Sequence, residues 1–411
     1  MLSYLRYSTI ASAIGLATSY VGAWLMLPAE LGRFGVLLSI LFLVGPLVSF
    51  SAESLILIKK TEMSGRDYIE FRRRFVSLLT LTTLIVTSLL LLAYEMHLVT
   101  LAWYAALPLL AALRALSSLT SMEFVVESQP RLYGAFLIAA AAVTLLMTFA
   151  CLTVFGATAQ VRLATLIVCE MIVISLRYNR NYKMLIPAMP TARECREIVA
   201  FGGPLVLSTL PAWFFNDADK YYLAKTLGLV SAGSYVAACT VAGAMQLFNQ
   251  AMVNSLTPRI YQLLSGVTET RVDAVRKELR RMLLMGSLVL IVLGLAFSSI
   301  ALMVGARLLP HRYAVAVPLM PYALFALVFN GIYRLIAIPI EFFRLTKTKT
   351  LMVVLAGAVA FAIYQTGFPI MGAVAAPAGV IAGYAVLGLS LYVVLSLRID
   401  PLLHRRVSVN G

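Results

Sequence analysis

Two arginines interrupt long apolar stretches of this chain, Arg114 and Arg334. Ser117, Ser118 and Ser121 follow Arg114 at helical spacing, while Asn330 stands one turn before Arg334 and Glu341 two turns after it. A charge at membrane depth is costly and is a functional-site hypothesis by default. A planar guanidinium also suits paired anionic oxygens. The plainer alternative for each is an ion pair or carbonyl contact that fixes helix packing. Four carboxamides, Gln246, Asn249, Gln250 and Asn254, fall within nine residues. In lipid they need hydrogen-bond partners, and polar ligand groups in a wet cleft would supply them.

Asn216, Asp219 and Lys220 share one helical face with Asp217 beside them, at what reads as the outer end of a span. They suit an outer gate or a proton-sensitive pair, or simply a solvated charge cluster. Ser39, Pro46, Ser49 and Glu53 line one face of an early stretch, so Glu53, like Glu341, is a candidate for gating or coupling. Ser8, Ser12, Gly15 and Ser19 read as a close-packing stripe. Glu123, Glu127 and Glu170 approach inner helix ends, where a neighbouring Lys or Arg neutralises them. Cys151, Cys169, Cys195 and Cys239 fall one per segment without a CxxC pair, and His97, His311 and His404 are scattered. That pattern points to no disulfide framework, metal site or cofactor.

What must position these residues is a membrane-embedded helical scaffold. The chain is 61% hydrophobic and 12% charged over 411 residues, against about 25% charged in soluble proteins. A spanning helix takes about 20 apolar residues, and twelve segments qualify: residues 5–27, 34–58, 75–94, 99–126, 133–155, 161–177, 198–217, 230–253, 282–304, 314–341, 351–367 and 374–397. The first is too long for a secretory signal and lacks a small-x-small cleavage site, so it reads as retained. The connectors on the side of both termini carry 25 Lys and Arg, among them Arg72, Arg73 and Arg74, and the opposite connectors carry six. That asymmetry predicts cytoplasmic termini. It also accounts for the net charge of +15 without nucleic acid, though a basic inner face meets anionic membrane lipid. Trp24, Trp103 and Trp213 fall near outer helix ends, as interfacial rings would. The stretch from Glu269 to Arg281 reads as a helix on the membrane surface. Pro46, Pro108, Pro321 and Pro339 read as bends.

The two halves resemble each other. Leu31-Gly32-Arg33-Phe34-Gly35-Val36 matches Ala232-Gly233-Ser234-Tyr235-Val236-Ala237 at an offset of 201, as does Glu53-Ser54-Leu55 against Asn254-Ser255-Leu256. Glu123-Phe124 meets Glu341-Phe342 at an offset of 218. The halves run parallel, which puts the repeat axis along the membrane normal. The expected fold class is therefore an all-α integral membrane protein of about twelve transmembrane helices in two six-helix lobes, residues 1–197 including an inter-lobe linker at its end and residues 198–411, with a central cleft.

Several motifs resemble the Wzx-type polysaccharide flippases of the multidrug/oligosaccharidyl-lipid/polysaccharide exporter superfamily. They are the Leu-Gly-x-Phe/Tyr-Gly turn, Phe201-Gly202-Gly203-Pro204-Leu205, Asp219-Lys220-Tyr221-Tyr222-Leu223, and Ala232-Gly233-Ser234-Tyr235 continuing to Thr257-Pro258-Arg259-Ile260-Tyr261. Lys220 stands where that family often has arginine, which keeps the charge and loses the bidentate geometry. The resemblance implies a flippase, not an enzyme, that moves an undecaprenyl-pyrophosphate-linked oligosaccharide from the inner to the outer leaflet of the bacterial inner membrane by alternating access. It implies a role in O-antigen or other polysaccharide biosynthesis, with glycan-assembly proteins as partners. On that reading Arg114, Arg334, Gln246, Asn249, Gln250 and Asn330 bind the substrate. The alternatives are a cation-coupled drug exporter of the same superfamily and a membrane enzyme such as an O-antigen polymerase or acyltransferase. The enzyme would need an acid/base constellation, and no His is paired with a carboxylate in this sequence.

Overall fold

A computed structural model describes residues 2–63, 65–97, 102–178, 186–267 and 272–410, and every regular element among them is helical. Two compact units divide at Leu210/Pro211. The first holds α1 (Leu2–Leu25), α2 (Pro28–Ser49), α3 (Glu53–Glu62), α4 (Gly65–Glu95), α5 (Leu107–Val126), α6 (Pro130–Val154), α7 (Ala159–Tyr178) and the start of α8 (Ala192–Asn216). The second holds the end of α8, then α9 (Ala218–Leu227), α10 (Leu229–Ala242), α11 (Ala244–Ser265), α12 (Val272–Leu308), α13 (Met320–Phe342), α14 (Thr346–Met371) and α15 (Ala375–Asn410).

Among the described residues nine helices are long and apolar enough to cross a membrane, and the pair α10–α11, bent by 44°, makes a tenth. One of the nine runs from Thr346 to Pro401. Gly372, at φ +55°, breaks it into α14 and α15, which pack on each other and are two spans. Diluted by Ser8, Ser12 and Ser19, α1 is still 24 residues long, enough to cross about 30 Å of hydrocarbon. The twelve expected spans are all accounted for.

The internal repeat is visible in the packing. α5 touches α2, α4 and α7, and α6 touches α7; in the second unit α13 touches α10, α12 and α15, and α14 touches α15. The cognate helices α2 and α10 begin 201 residues apart, with Leu31 N donating to Leu27 O and Ala232 N to Gly228 O. A 3-10 turn precedes both α5 and α13, and each has proline in its first turn.

Several expectations need correction. The second span ends at Ser49, not near residue 58, because Phe50 and Ser51 take positive φ and α3 starts afresh at Glu53. A residue remote in sequence packs at the break: Gly202 lies so close to the Phe50 carbonyl that a Cβ there would overlap it. Only glycine allows that approach, which gives the Gly202-Gly203 motif a packing role. The linker expected before residue 198 is instead the start of α8, tied to the first unit by Lys59–Glu197 at 2.7 Å and Arg74–Glu194 at 2.7 Å. That is why the units divide later than expected. The stretch expected to lie on the membrane surface is the N-terminal extension of the 37-residue α12 from Val272 onward; residues 269–271 lie outside the described ones. In the α1 stripe Gly15 is exposed and a Cβ there would meet nothing, whereas Ser8 bonds Tyr133 of α6; α1 packs on α6, with the Tyr7 ring against Gly134. Trp24 and Trp103 are exposed, but Trp213 is buried against Phe214 and Tyr221.

Nor are all the arginines expected in connectors solvated. Arg72 is fully buried, with Nε 3.0 Å from Glu123 Oε1, while Tyr68 donates to the same oxygen at 2.5 Å and Tyr178 bonds the guanidinium. Arg73 donates to Ile186 O. Arg162 is also buried, over the Phe34 ring and donating to Thr18 O at 3.3 Å. Glu127 pairs with Lys60 at 2.6 Å, so it and Glu123 are neutralised locally.

Candidate functional site

In the second unit a cavity of about 350 Å³ opens among α8, α11, α13, α14 and α15. It gathers Arg334, Asn330 and Glu341 from the predicted set, together with Asn216, Tyr333 and Tyr384. α13 supplies Asn330, Tyr333, Arg334 and Glu341 because spacings of three, four and seven put them along one helix face. Arg334 is half-buried and donates through Nη2 to Gln250 Oε1 at 2.7 Å, and Gln250 Nε2 in turn donates to Asn254 Oδ1 at 2.9 Å. This amide chain aims the guanidinium without neutralising it, and among the described residues Arg334 has no ion pair. Glu341 is paired with Lys349 at 2.6 Å, so the cavity keeps one net positive charge. Asn330 Oδ1 is buried on the wall with no hydrogen-bond partner among the described residues. The site therefore offers a cationic fork beside amide and phenol groups, a set suited to an anionic oxygen and neighbouring hydroxyls.

The other predicted residues lie elsewhere. Asn249 is fully buried and donates to Leu327 O at 2.8 Å, its amide pressed against Gly331, so it joins α11 to α13. Gln246 is exposed one turn earlier. Glu53 opens α3, and its side chain lies outside the described ones. Arg114 belongs to the first unit, exposed and without a hydrogen bond among the described residues; the charge it feels is Glu170, which accepts from Ser117 at 2.5 Å. The arginine that neighbours Glu170 is thus Arg114 of the fourth span.

Asp219 and Lys220 are not at a solvated helix end. The helix breaks at Asp217 and resumes as α9, which keeps them inside the unit. Lys220 Nζ lies 2.7 Å from Asp217 Oδ1 and 3.3 Å from Asp219 Oδ1, and Tyr235 donates to Asp219 Oδ2 at 2.7 Å. Asp219 is 2% exposed. Asn216, one residue before the break, accepts from Tyr384 at 2.5 Å and links this cluster to the cavity wall. Tyr333 and Tyr384, stacked at 5.9 Å, were missed because a tyrosine in an apolar span reads as packing or as an interfacial ring.

No protein-family model and no curated protein matches the sequence. Solved structures do match over the whole chain. A lipid II flippase, MurJ, in an inward closed conformation aligns at a TM-score of 0.74 and 12% identity, covering 100% of this chain and 92% of that one. An inward-facing multidrug resistance MATE family transporter of the MOP superfamily aligns at 0.67 and 11%, covering 97% and 98%. The Vibrio cholerae MATE transporter VcmN aligns at 0.58 and 14%, covering 98% and 97%. The chain thus has the all-helical fold shared by the MurJ flippase and the MATE transporters of the MOP superfamily.

Proposed function

We propose that the protein is a transporter that flips an undecaprenyl-pyrophosphate-linked oligosaccharide from the inner to the outer leaflet of a bacterial inner membrane by alternating access, in O-antigen or related polysaccharide biosynthesis. The observation that carries this reading is the unneutralised Arg334 fork in a cavity walled by Asn330, Tyr333 and Tyr384. A volume of about 350 Å³ is at the low end for a ligand pocket, so it suits the pyrophosphate and the first sugar, not a whole glycan. Arg114, beside Ser117 and Glu170, is the cognate cation of the first unit and serves the same cargo. Gln250 is a positioning residue for Arg334, while Asp219 and Lys220, with Glu341, are the groups placed to couple transport to charge. The MATE neighbours favour a second reading, a cation-coupled drug exporter, but a positive cavity opposes a cationic drug.

The test compares exported glycan per molecule of membrane protein. Arg334→Ala should lower it about tenfold or more, since a charge-assisted contact to phosphate contributes on the order of 1.5–3 kcal/mol. Arg334→Lys should keep part of the activity and Arg114→Ala should act more mildly. Unimpaired export per molecule in both alanine variants would falsify the cationic site. Orientation is tested separately: in a cysteine-free background, cysteines at Gly65, Ala192 and Ser408 should react only after permeabilisation, and one at Ala157 should react from outside. Labelling of the Ser408 position in intact cells would reverse the proposed cytoplasmic termini.

A further inference from the structure

On the basic end of the second unit, α11 and α12 enclose a groove of about 590 Å³ that is separate from the Arg334 cavity. Its mouth carries Arg259 and Gln262 of α11 and Glu278 and Arg281 of α12, and its walls are apolar, with Leu256, Met282, Met285 and Val289. From Glu278 to Val289 the groove follows twelve residues of α12, roughly 16 Å of helix. Neighbouring side chains on that face, Leu288 and Val292, are 52% and 56% exposed, as suits a surface bathed in hydrocarbon. Arg276, one turn earlier, is already paired with Asp273 and Asp400. Arg259 and Arg281, by contrast, form no ion pair among the described residues, and no hydrogen bond is made by either side chain there.

We propose that this groove binds an anionic phospholipid, with its phosphodiester on Arg259 and Arg281 and an acyl chain along Leu256, Met285 and Val289. An occupant must be anionic at one end and apolar along its length, which excludes free phosphate and acidic peptides. The charge at the mouth selects among lipids. Two arginines and Glu278 sum to one positive charge, which a single phosphodiester balances and the greater charge of a pyrophosphate would exceed. Methionines at the wall adapt to a flexible chain. The site does not depend on the cargo proposed above, because it involves neither the Arg334 cavity nor its residues.

The experiment uses full-length protein in detergent, mixed with phosphatidylglycerol or phosphatidylethanolamine, with retained lipid counted by native mass spectrometry. The wild type should hold phosphatidylglycerol in preference. The double variant Arg259→Ala, Arg281→Ala should bind it about thirtyfold more weakly, roughly fivefold for each arginine near an anionic headgroup. Met285→Trp, which fills the groove and keeps both arginines, should also weaken binding and decides the matter alone if the double variant does not fold. Equal retention of the two lipids, or phosphatidylglycerol binding unchanged in Met285→Trp, overturns the proposal. So does displacement of phosphatidylglycerol by equimolar undecaprenyl phosphate, which would make the groove a seat for the polyprenyl tail.

Discussion

Glu123→Leu should destabilise the protein by about 3–5 kcal/mol, the cost of leaving a buried charge without its partner. Arg72 is fully buried and Glu123 is 4% exposed, with Nε and Oε1 3.0 Å apart. Removing the carboxylate takes the Glu123 charge away from a fully buried guanidinium that also bonds the Tyr178 hydroxyl, itself bonded to Thr120. The Tyr68 hydroxyl loses its acceptor at the same time. Arg72→Met combined with Glu123→Leu should recover most of the loss, because a well-packed apolar pair often replaces a buried ion pair at little cost. Both variants are compared by thermal unfolding of purified protein and by the amount inserted in the membrane. A single variant as stable as wild type, or a double variant no better than the single, would show that the pair is not what holds α4 to α5.

Arg72 also marks the boundary of what the sequence makes legible. Within Arg72-Arg73-Arg74 each residue contributes equally to the charge asymmetry, yet they have different fates. Tyr68, Phe71, Arg72 and Phe75 recur at i, i+3, i+4 and i+7, the spacing of a buried helix face, and the structure buries all four. The periodicity was there to be read, but an arginine triplet reads first as a solvated end. Span number, repeat and the Arg334 face were legible because they rest on local properties: a run of about 20 apolar residues, an offset between motifs, a helical spacing.

The misreadings share a different cause. The break at Phe50 packs against Gly202, 152 residues away in the chain, and no local pattern near Phe50 reports that contact. Asn249 and Gln250 are neighbours in sequence with similar side chains, yet one bonds the Leu327 carbonyl and the other aims Arg334. Which amide faces a cavity is decided by the helix packed opposite. Tyr384 was invisible for the same reason, since its partner Asn216 is 168 residues distant.

Lys220→Met should be comparably damaging, again by about 3–5 kcal/mol, because the lysine is a cation shared by two close carboxylates. Asp217 and Asp219 both lie within 3.3 Å of its Nζ, and the break in the helix at Asp217 turns the three inward together. With the ammonium gone, the buried Asp219 carboxylate and the half-buried Asp217 carboxylate repel each other without the shared cation between them. Tyr235 still donates to Asp219 Oδ2 and the Lys220 backbone N–H to Asp219 Oδ1, so Asp219 remains solvated by protein dipoles. Asp217 Oδ1 is the nearer to the ammonium, at 2.7 Å against 3.3 Å for Asp219 Oδ1. Adding Asp217→Asn to Lys220→Met should therefore restore much of the stability, whereas adding Asp219→Asn should restore less and leave the Tyr235 hydroxyl with a weaker acceptor. The measurement is the thermal midpoint of the three variants in one detergent, read beside exported glycan per molecule. If the cluster only holds α9 in place, the rescued double variant should export as the wild type does. If the ammonium also couples transport to charge, stability returns and export does not, and a Lys220→Met protein as stable as wild type would remove the cluster from both roles.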